Sequence, residues 1–277
     1  DPVLAPDTRL AHVNAAADAL RNKLTASPRI GLLMGAGTAS LAEAISAPTT
    51  VPFDAVPHLP TTASGPDRAV VAGTLHEQEV LAVPEQLHLY DGLSARKVAL
   101  PVRVMAALGV DTLVAITTAG SVNPHHTPGD VMLISDHINL QGENPLEGPN
   151  VDAWGPRFPD MSAPYDADLR TAAHQAALQA GTRLQEGIYL GVPGPNVQTK
   201  AEYRFMRNVG ADAVGTSLVP EVIVARHMDL RVLGAAIITD ACFADTLQPT
   251  PAEEVATAAT RGCERMAALL EPLMPAL

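Results

Sequence analysis

Short runs of β-branched and aliphatic residues recur along this chain. Most of them stop at a cluster of Gly, Thr, Ser or Asn before a helical pattern begins. Residues 29–34 (RIGLLM) end at Gly35-Ala36-Gly37 ahead of a helical stretch at 41–45. Residues 112–116 break at Thr117-Thr118-Ala119-Gly120, and strands are predicted at 69–72, 80–83, 131–134, 188–192, 213–216 and 231–238. Helical spacing is predicted over 8–25, 101–108, 167–179, 199–208, 219–227 and from about 251. Pro251 with Glu253 and Glu254 suits the positive end of that last helix. Residues 47–68 and 140–165, rich in Pro and Gly, are predicted to be loops, the second of them functional. The alternation predicts an α/β fold with a central mixed, mostly parallel, buried sheet flanked by helices. Without an internal repeat, a low-complexity tract or a linker, residues 1–277 are predicted to form a single domain.

The 277 residues carry 18 Lys+Arg against 30 Asp+Glu, a formal net charge of −12. That charge argues against nucleic acid and against an anionic membrane as partners, since both are recognised by clustered Lys and Arg. It leaves room for a small anion held at a local site. No apolar run approaches the roughly 18–20 residues that span a bilayer. The opening DPVLAP lacks a basic stretch followed by an apolar one, so it is not expected to be a signal peptide; without a Met, it is expected to lack some native N-terminus. Two cysteines, Cys242 and Cys263, make no disulfide framework and fit a reducing cytoplasm.

In open α/β sheets ligands bind beyond the carboxyl ends of strands. Those ends here carry Gly35-Ala36-Gly37-Thr38, the segment 86–92 (QLHLYDG), Thr117-Thr118-Ala119-Gly120-Ser121, the segment 194–199 (GPNVQT), Gly215-Thr216-Ser217 and Thr239-Asp240. Gly35-Ala36-Gly37 is not a complete dinucleotide fingerprint, because the third glycine position holds Ser40, and it lacks the lysine of a P-loop. Taken singly, it reads as a tight turn, His88 as a satisfied histidine and Asp240 as a cap.

Read together, these segments resemble the trimeric purine nucleoside phosphorylases, which include the methylthioadenosine phosphorylases. The resemblance runs through HLYDG (88–92), the PVRV, LGV and TLV blocks of 101–114, AGSVNP (119–124), GDVMLISDHINL (129–140), ENPLEGPN (143–150), RFPDMSAPYD (157–166), GPN (194–196), residues 205–227 and IITD (237–240), nearly the whole chain. It implies a homotrimer with a mixed sheet, and phosphorolysis of a purine N-glycosidic bond to free base and pentose 1-phosphate. Phosphate is the co-substrate, with no metal or organic cofactor. That reaction passes through an oxocarbenium-like sugar and a base gaining negative charge, so the site must hold an anion and hydrogen-bond the purine.

Carried over residue by residue, the resemblance gives His88 to phosphate and Tyr90 to the ribose. Thr216 stands where the family has an apolar ribose contact. Ser217 and the Thr118 backbone would reach phosphate, Thr117, Ala119 and Val197 would line the substrate, and Phe158 would be lent to the neighbouring subunit. Asp240 and Gln198 would face the base, Asp240 as the acid/base contact and Gln198 orienting it. Four positions depart from the family. Its Gly-loop serine is Ala36, its arginine two residues before the histidine is Gln86, a loop histidine aligns with Pro66, and the histidine near the 5′-hydroxyl aligns with Ala252. A charge-assisted hydrogen bond is worth roughly 1.5–3 kcal/mol, so losing Arg and Ser together weakens phosphate binding by on the order of 10²–10⁴-fold. Arg68 and Arg96 are the candidates to compensate.

The base site departs in a chemically consistent way. The family's glutamate is Gln198 and its asparagine is Asp240. A 6-oxopurine presents an acceptor at O6 and a donor at N1; a 6-aminopurine inverts both. Gln donates to N1 and Asp accepts from N6 or a protonated N7. An apolar Ala252 would tolerate a 5′-deoxy or 5′-thio group. The leading expectation is a phosphorylase-type pentosyltransferase leaning to 6-aminopurines. A nucleoside hydrolase using water, or a catalytically weak nucleoside-binding homologue, stays open at this point.

Overall fold

The computed structural model describes residues 4–24, 27–62 and 67–277. Pro66 lies outside them. The first helix, α1 (Pro6–Arg21), starts on Pro and buries Val13, Ala16, Ala17 and Leu20 at helical spacing. Then come β1 (Ile30–Met34), β2 (Ser46–Pro52), β3 (Ala69–Leu75), β4 (Gln78–Val83), α2 (Ala95–Val98) and α3 (Leu100–Ala107). The second half holds β5 (Thr112–Ser121), β6 (Val131–Asn139), α4 (Ala167–Gln179), β7 (Leu184–Gly191), α5 (Lys200–Asn208), β8 (Ala213–Gly215), α6 (Val219–His227), β9 (Arg231–Ala241) and α7 (Ala252–Leu273). Local chemistry sets several boundaries. The Asp166 carboxylate accepts from Leu169 N–H at the start of α4, and Thr199 and Glu202 form a reciprocal capping box at the start of α5.

The nine strands form one sheet in the order β2-β3-β4-β1-β5-β8-β7-β6-β9. Strand β9 also pairs with β5, so β5, β8, β7, β6 and β9 close into a ring and β1–β4 extend from it as a wing. Helices α1, α3 and α6 cover one face and α4 and α7 the other. The expected α/β class and mixed sheet hold, but parallel pairing prevails only narrowly, in five of the nine strand pairs.

Three local expectations are corrected. Residues 46–52 are not loop but β2, the antiparallel edge partner of β3; Pro48 and Pro52 are tolerated there because an edge strand has a side without ladder bonds. The stretch at 41–45 winds as a 3₁₀ segment, Ala39–Ala44. Strand β5 does not break at Thr117 but runs to Ser121, because Gly120 and Ser121 find ladder partners in both β8 and β9. The long loop between β6 and α4 is as predicted.

Candidate active site

Strands β4, β1, β5 and β9 are mutually parallel, so their carboxyl ends emerge together. Gly35 follows β1, and it is glycine for a reason of space: a Cβ there would lie 2.9 Å from both Gln86 Oε1 and Thr117 Oγ1. The Gln86 N–H donates to Met34 O at 2.9 Å, which ties the 86–92 segment to the β1 end. Across the site Thr117 Oγ1 and Ser217 Oγ share a hydrogen bond of 2.7 Å, and Thr118 Oγ1 donates to Ala36 O at 3.1 Å. Ser217 N–H donates to Tyr189 Oη at 3.3 Å. Ala36, Gln86, Thr117, Thr118 and Ser217 therefore surround one end of β1 and β5, with His88 two residues further along the Gln86 segment.

The residue after Ser217 has an unusual backbone. Leu218 sits at φ 74° and ψ −40°, and Val219 N–H donates to Ser217 O at 2.9 Å. That is a γ-turn of the rare, strained hand. Leu218 is fully buried.

His88 is buried, with its ring stacked on Tyr90 at 4.5 Å. Burial pushes its pKa down to about 4; the Asp91 carboxylate opposes this and the Arg68 guanidinium adds to it. The imidazole is thus neutral at physiological pH. Tyr90 is half exposed beside Thr216, since a Cβ on Gly194 would lie 3.2 Å from Tyr90 Cδ1 and 2.9 Å from Thr216 Cγ2.

Arg68 and Arg96, the two candidate replacements for the absent arginine, separate in space. Arg68 reaches beneath the 86–91 segment. Its Nη2 donates to Asp91 Oδ2 at 2.8 Å, its Nε to Gln86 O at 3.3 Å and its Nη1 to Thr62 Oγ1 at 2.6 Å. Asp91 in turn accepts from His88 N–H at 3.1 Å. Arg96 lies on α2, lining a different cavity with Arg9, His12 and Arg103. Of the two candidates, Arg68 is the one that reaches the 86–91 segment.

Sequence reasoning missed Glu221. It is fully buried on α6, and its Oε1 accepts from Gln86 Nε2 at 3.0 Å while its Oε2 has no partner among the described residues. Burial pushes its pKa up to about 8. A glutamate at the third position of a helix resembles an ordinary N-terminal acid, and nothing in its spacing ties it to Gln86, 135 positions earlier. Tyr189 was missed for the same reason, since Ser217 meets it only in the fold; Asp91 and Cys242 bond near neighbours, but a lone Asp or Cys at that spacing carries no signal.

Asp240 stands at the end of β9 opposite Gly120. Thr239 Oγ1 donates to its Oδ1 at 2.8 Å and Cys242 Sγ to its Oδ2 at 2.9 Å. Burial, reinforced by the Asp240 charge, pushes the Cys242 thiol up to about 12, which keeps it a donor. Tyr203 bridges this group to Gln198, contacting the Cys242 side chain and the Gln198 backbone. The Gln198 side chain folds back to donate to Asn196 O at 3.1 Å, and Val197 is exposed. Asp240 also borders an open cleft of about 820 Å³ with Thr239, Phe243 and Arg261 on its walls. Ala119 is buried within β5 behind these groups, and Ala252 begins α7 on the surface. Phe158 is 86% exposed on the long loop with Arg157 stacked 5.2 Å from its ring centre, apart from the His88 group. Among the described residues, no group of three or more His, Cys, Asp or Glu is placed to hold a metal ion.

A closed ring of strands with a polar group at one end defines a class of α/β proteins that bind small polar ligands at the sheet terminus, and comparisons with known proteins narrow it. Residues 29–274 match the model of the phosphorylase superfamily. Purine nucleoside phosphorylase 1 of Bacillus subtilis is 44% identical over 244 residues, covering 88% of this chain and 90% of that protein. A purine nucleoside phosphorylase of Schistosoma mansoni in complex with adenosine superposes with a TM-score of 0.91 at 33% identity, over 97% of this chain and 98% of that one. Isoform 2 from the same organism, in complex with cytosine and ribose-1-phosphate, superposes with a TM-score of 0.92 at 32% identity, over 96% of each chain. The chain belongs to the phosphorylase superfamily, in its purine nucleoside phosphorylase family.

Proposed function

We propose that this chain is a pentosyltransferase that cleaves purine nucleosides with inorganic phosphate, releasing free purine and pentose 1-phosphate, with a preference for 6-aminopurines. The observation that carries this reading is the meeting of the Thr117 and Ser217 hydroxyls, with Thr118 bonded to Ala36, at one end of β1 and β5, while Asp240 stands at the parallel end of β9. The capture of ribose-1-phosphate by a structural neighbour supports phosphate as the nucleophile; neighbours hold adenosine, inosine and guanosine alike, so the 6-amino preference rests on Gln198 and Asp240.

The chemistry follows from charge. The C1′–N9 bond breaks with its electron pair passing to the purine, and a phosphate oxygen forms the new bond to C1′. Ser217, Thr118 and neutral His88 hold the anion's oxygens without a direct cationic ligand. Arg68 contributes its field from beneath, moderated by its pairing with Asp91. Tyr90 and Thr216 hold the sugar, with Thr117, Ala119 and Val197 around the substrate. As the purine gains electrons its N7 takes a proton from solvent, and Asp240 accepts the hydrogen bond from that N–H or from the 6-amino group. Gln198 turns from its own loop to donate to N1. In a homotrimer Phe158 of each subunit closes its neighbour's sugar site, which explains an aromatic ring left 86% exposed. The enzyme works in a reducing cytoplasm, in keeping with two free, buried cysteines.

The test is turnover of adenosine, inosine and methylthioadenosine with and without phosphate. Cleavage that needs phosphate and yields the sugar 1-phosphate is expected, with adenosine or methylthioadenosine ahead of inosine. Free sugar at a rate indifferent to phosphate would replace this reading by a hydrolase, and binding without turnover by a nucleoside-binding homologue.

A further inference from the structure

A second cavity lies away from the His88 group, between α1, α2, α3 and the loop that carries Trp154; its volume is about 230 Å³. Its lining is cationic in a chain of net charge −12: Arg9, Arg96, Lys97 and Arg103 contribute to it, and no Asp or Glu does among the described residues. Arg103 is the most constrained of them. It is 95% buried, the complement of its 5% exposure, and its guanidinium lies 4.1 Å from the centre of the Trp154 ring. Its side-chain polar neighbour is a histidine, with Nη1 3.5 Å from His227 Nδ1, and among the described residues no carboxylate pairs with it. Arg9 approaches the same Trp154 ring at 6.0 Å; its Nη2 donates to Pro149 O, while its buried Nε has no partner among the described residues. Burial first, and then like charge, disfavours the cationic forms: Arg9 acts on Arg103, and Arg96 on Arg9. On the α1 side, the rings of His12 and His58 stack in parallel at 3.7 Å and present a flat wall.

Buried cations are normally paired, because an uncompensated buried charge costs several kcal/mol. Here Arg103 is such a buried cation, and the partly exposed Arg9 and Arg96 converge with it on one cavity walled by an indole and two imidazoles. The pattern of aligned charge and flat apolar walls suits a ligand with the complementary halves. We propose that this cavity binds a small planar oxyanion, an aromatic ring bearing a phosphate or carboxylate, with the oxyanion taken by Arg9, Arg96 and Arg103 and the ring lying along Trp154 or the His12–His58 pair. A volume of about 230 Å³ admits a single ring with its acid group. The site is independent of the nucleoside reading, because it shares none of the residues assigned to that reaction.

Isothermal titration calorimetry with phenyl phosphate, and separately benzoate, tests it on the intact protein at low ionic strength. One equivalent per chain is expected to bind. Arg96→Gln should weaken binding about tenfold or more, as loss of one charge-assisted contact implies, and Ser217→Ala should leave it unchanged. Salt should weaken it as well. In the absence of ligand, Arg96→Gln is expected to leave the melting temperature unchanged or raise it, because it relieves repulsion of Arg9. No binding at millimolar probe, or binding abolished by Ser217→Ala and untouched by Arg96→Gln, would overturn the proposal. So would a fall in melting temperature for Arg96→Gln with unaltered affinity, which would make the cluster a structural one.

Discussion

Gln86 joins the two halves of the phosphate question. It stands where the family's arginine belongs, and the carboxylic acid behind it, Glu221, keeps one oxygen without a partner. An arginine at this position would find a carboxylate already waiting and would ionise it. Gln86→Arg is therefore expected to lower the KM for phosphate by about tenfold or more, the worth of one charge-assisted contact, with little change in the KM for nucleoside; steady-state kinetics at varied phosphate measures it. On the base side Asp240 accepts from Thr239 and Cys242, and a carboxylate lacks the N–H that an amide offers to an O6 acceptor. Asp240→Asn supplies a donor, and the ratio of kcat/KM for inosine over adenosine is expected to rise at least about tenfold. The sequence made these two positions visible because each replaces a residue of a known pattern. It could not show Glu221 or the embrace of Arg68 by Asp91, which arise from contacts between segments far apart in the chain.

Strand β5 shows how an element can place a site. Its last residues, Thr117–Ser121, are small and polar and read as a loop, yet the ring closure pairs them with β8 and β9 and makes them strand. Periodicity cannot reveal this, because the pairing depends on partners more than ninety residues later. The alternation of strands and helices was legible, and so were most helix positions; β2 was not, because its prolines suit only an edge that the sequence does not announce. The close contact of β5 with β9 requires a residue without a side chain. A Cβ on Gly120 would lie 2.5 Å from Cys242 Sγ and 3.3 Å from both oxygens of Asp240. Gly120→Ala is expected to cost about 1–3 kcal/mol through overpacking, read as a lower denaturant midpoint, and to depress kcat more than phosphate KM because it displaces Asp240 rather than Ser217.

For the whole molecule, two buried groups shape stability against pH in opposite senses. His88 has its pKa lowered from 6.5 to about 4, so its contribution is lost as pH falls through that interval. Glu221 has its pKa raised from 4.5 to about 8, so the folded protein holds a proton that the unfolded chain has released, and stability declines as pH rises across that interval. The two offset below pH 6.5, which leaves a net decline between pH 6.5 and 8 of about 2 kcal/mol. Denaturant melts at several pH values are expected to show it, and Glu221→Gln to flatten it. Assembly is the other property at this scale. Sedimentation is expected to give a trimer, and Phe158→Ala to raise the KM for nucleoside while sparing that for phosphate, as a ring contributed across the subunit boundary would require.

The turn at Leu218 has a consequence for how this site can change. A left-handed backbone ordinarily calls for glycine, and a leucine held there carries roughly 1–3 kcal/mol of conformational strain. The side chain is what keeps it there, because its burial is worth a comparable amount. Glycine would relieve the strain but remove the anchor. Leu218 thus holds the backbone next to Ser217 like a spring compressed against the core. Substitutions in the apolar interior that seat Leu218 are therefore expected to move Ser217 without altering a polar group beside it.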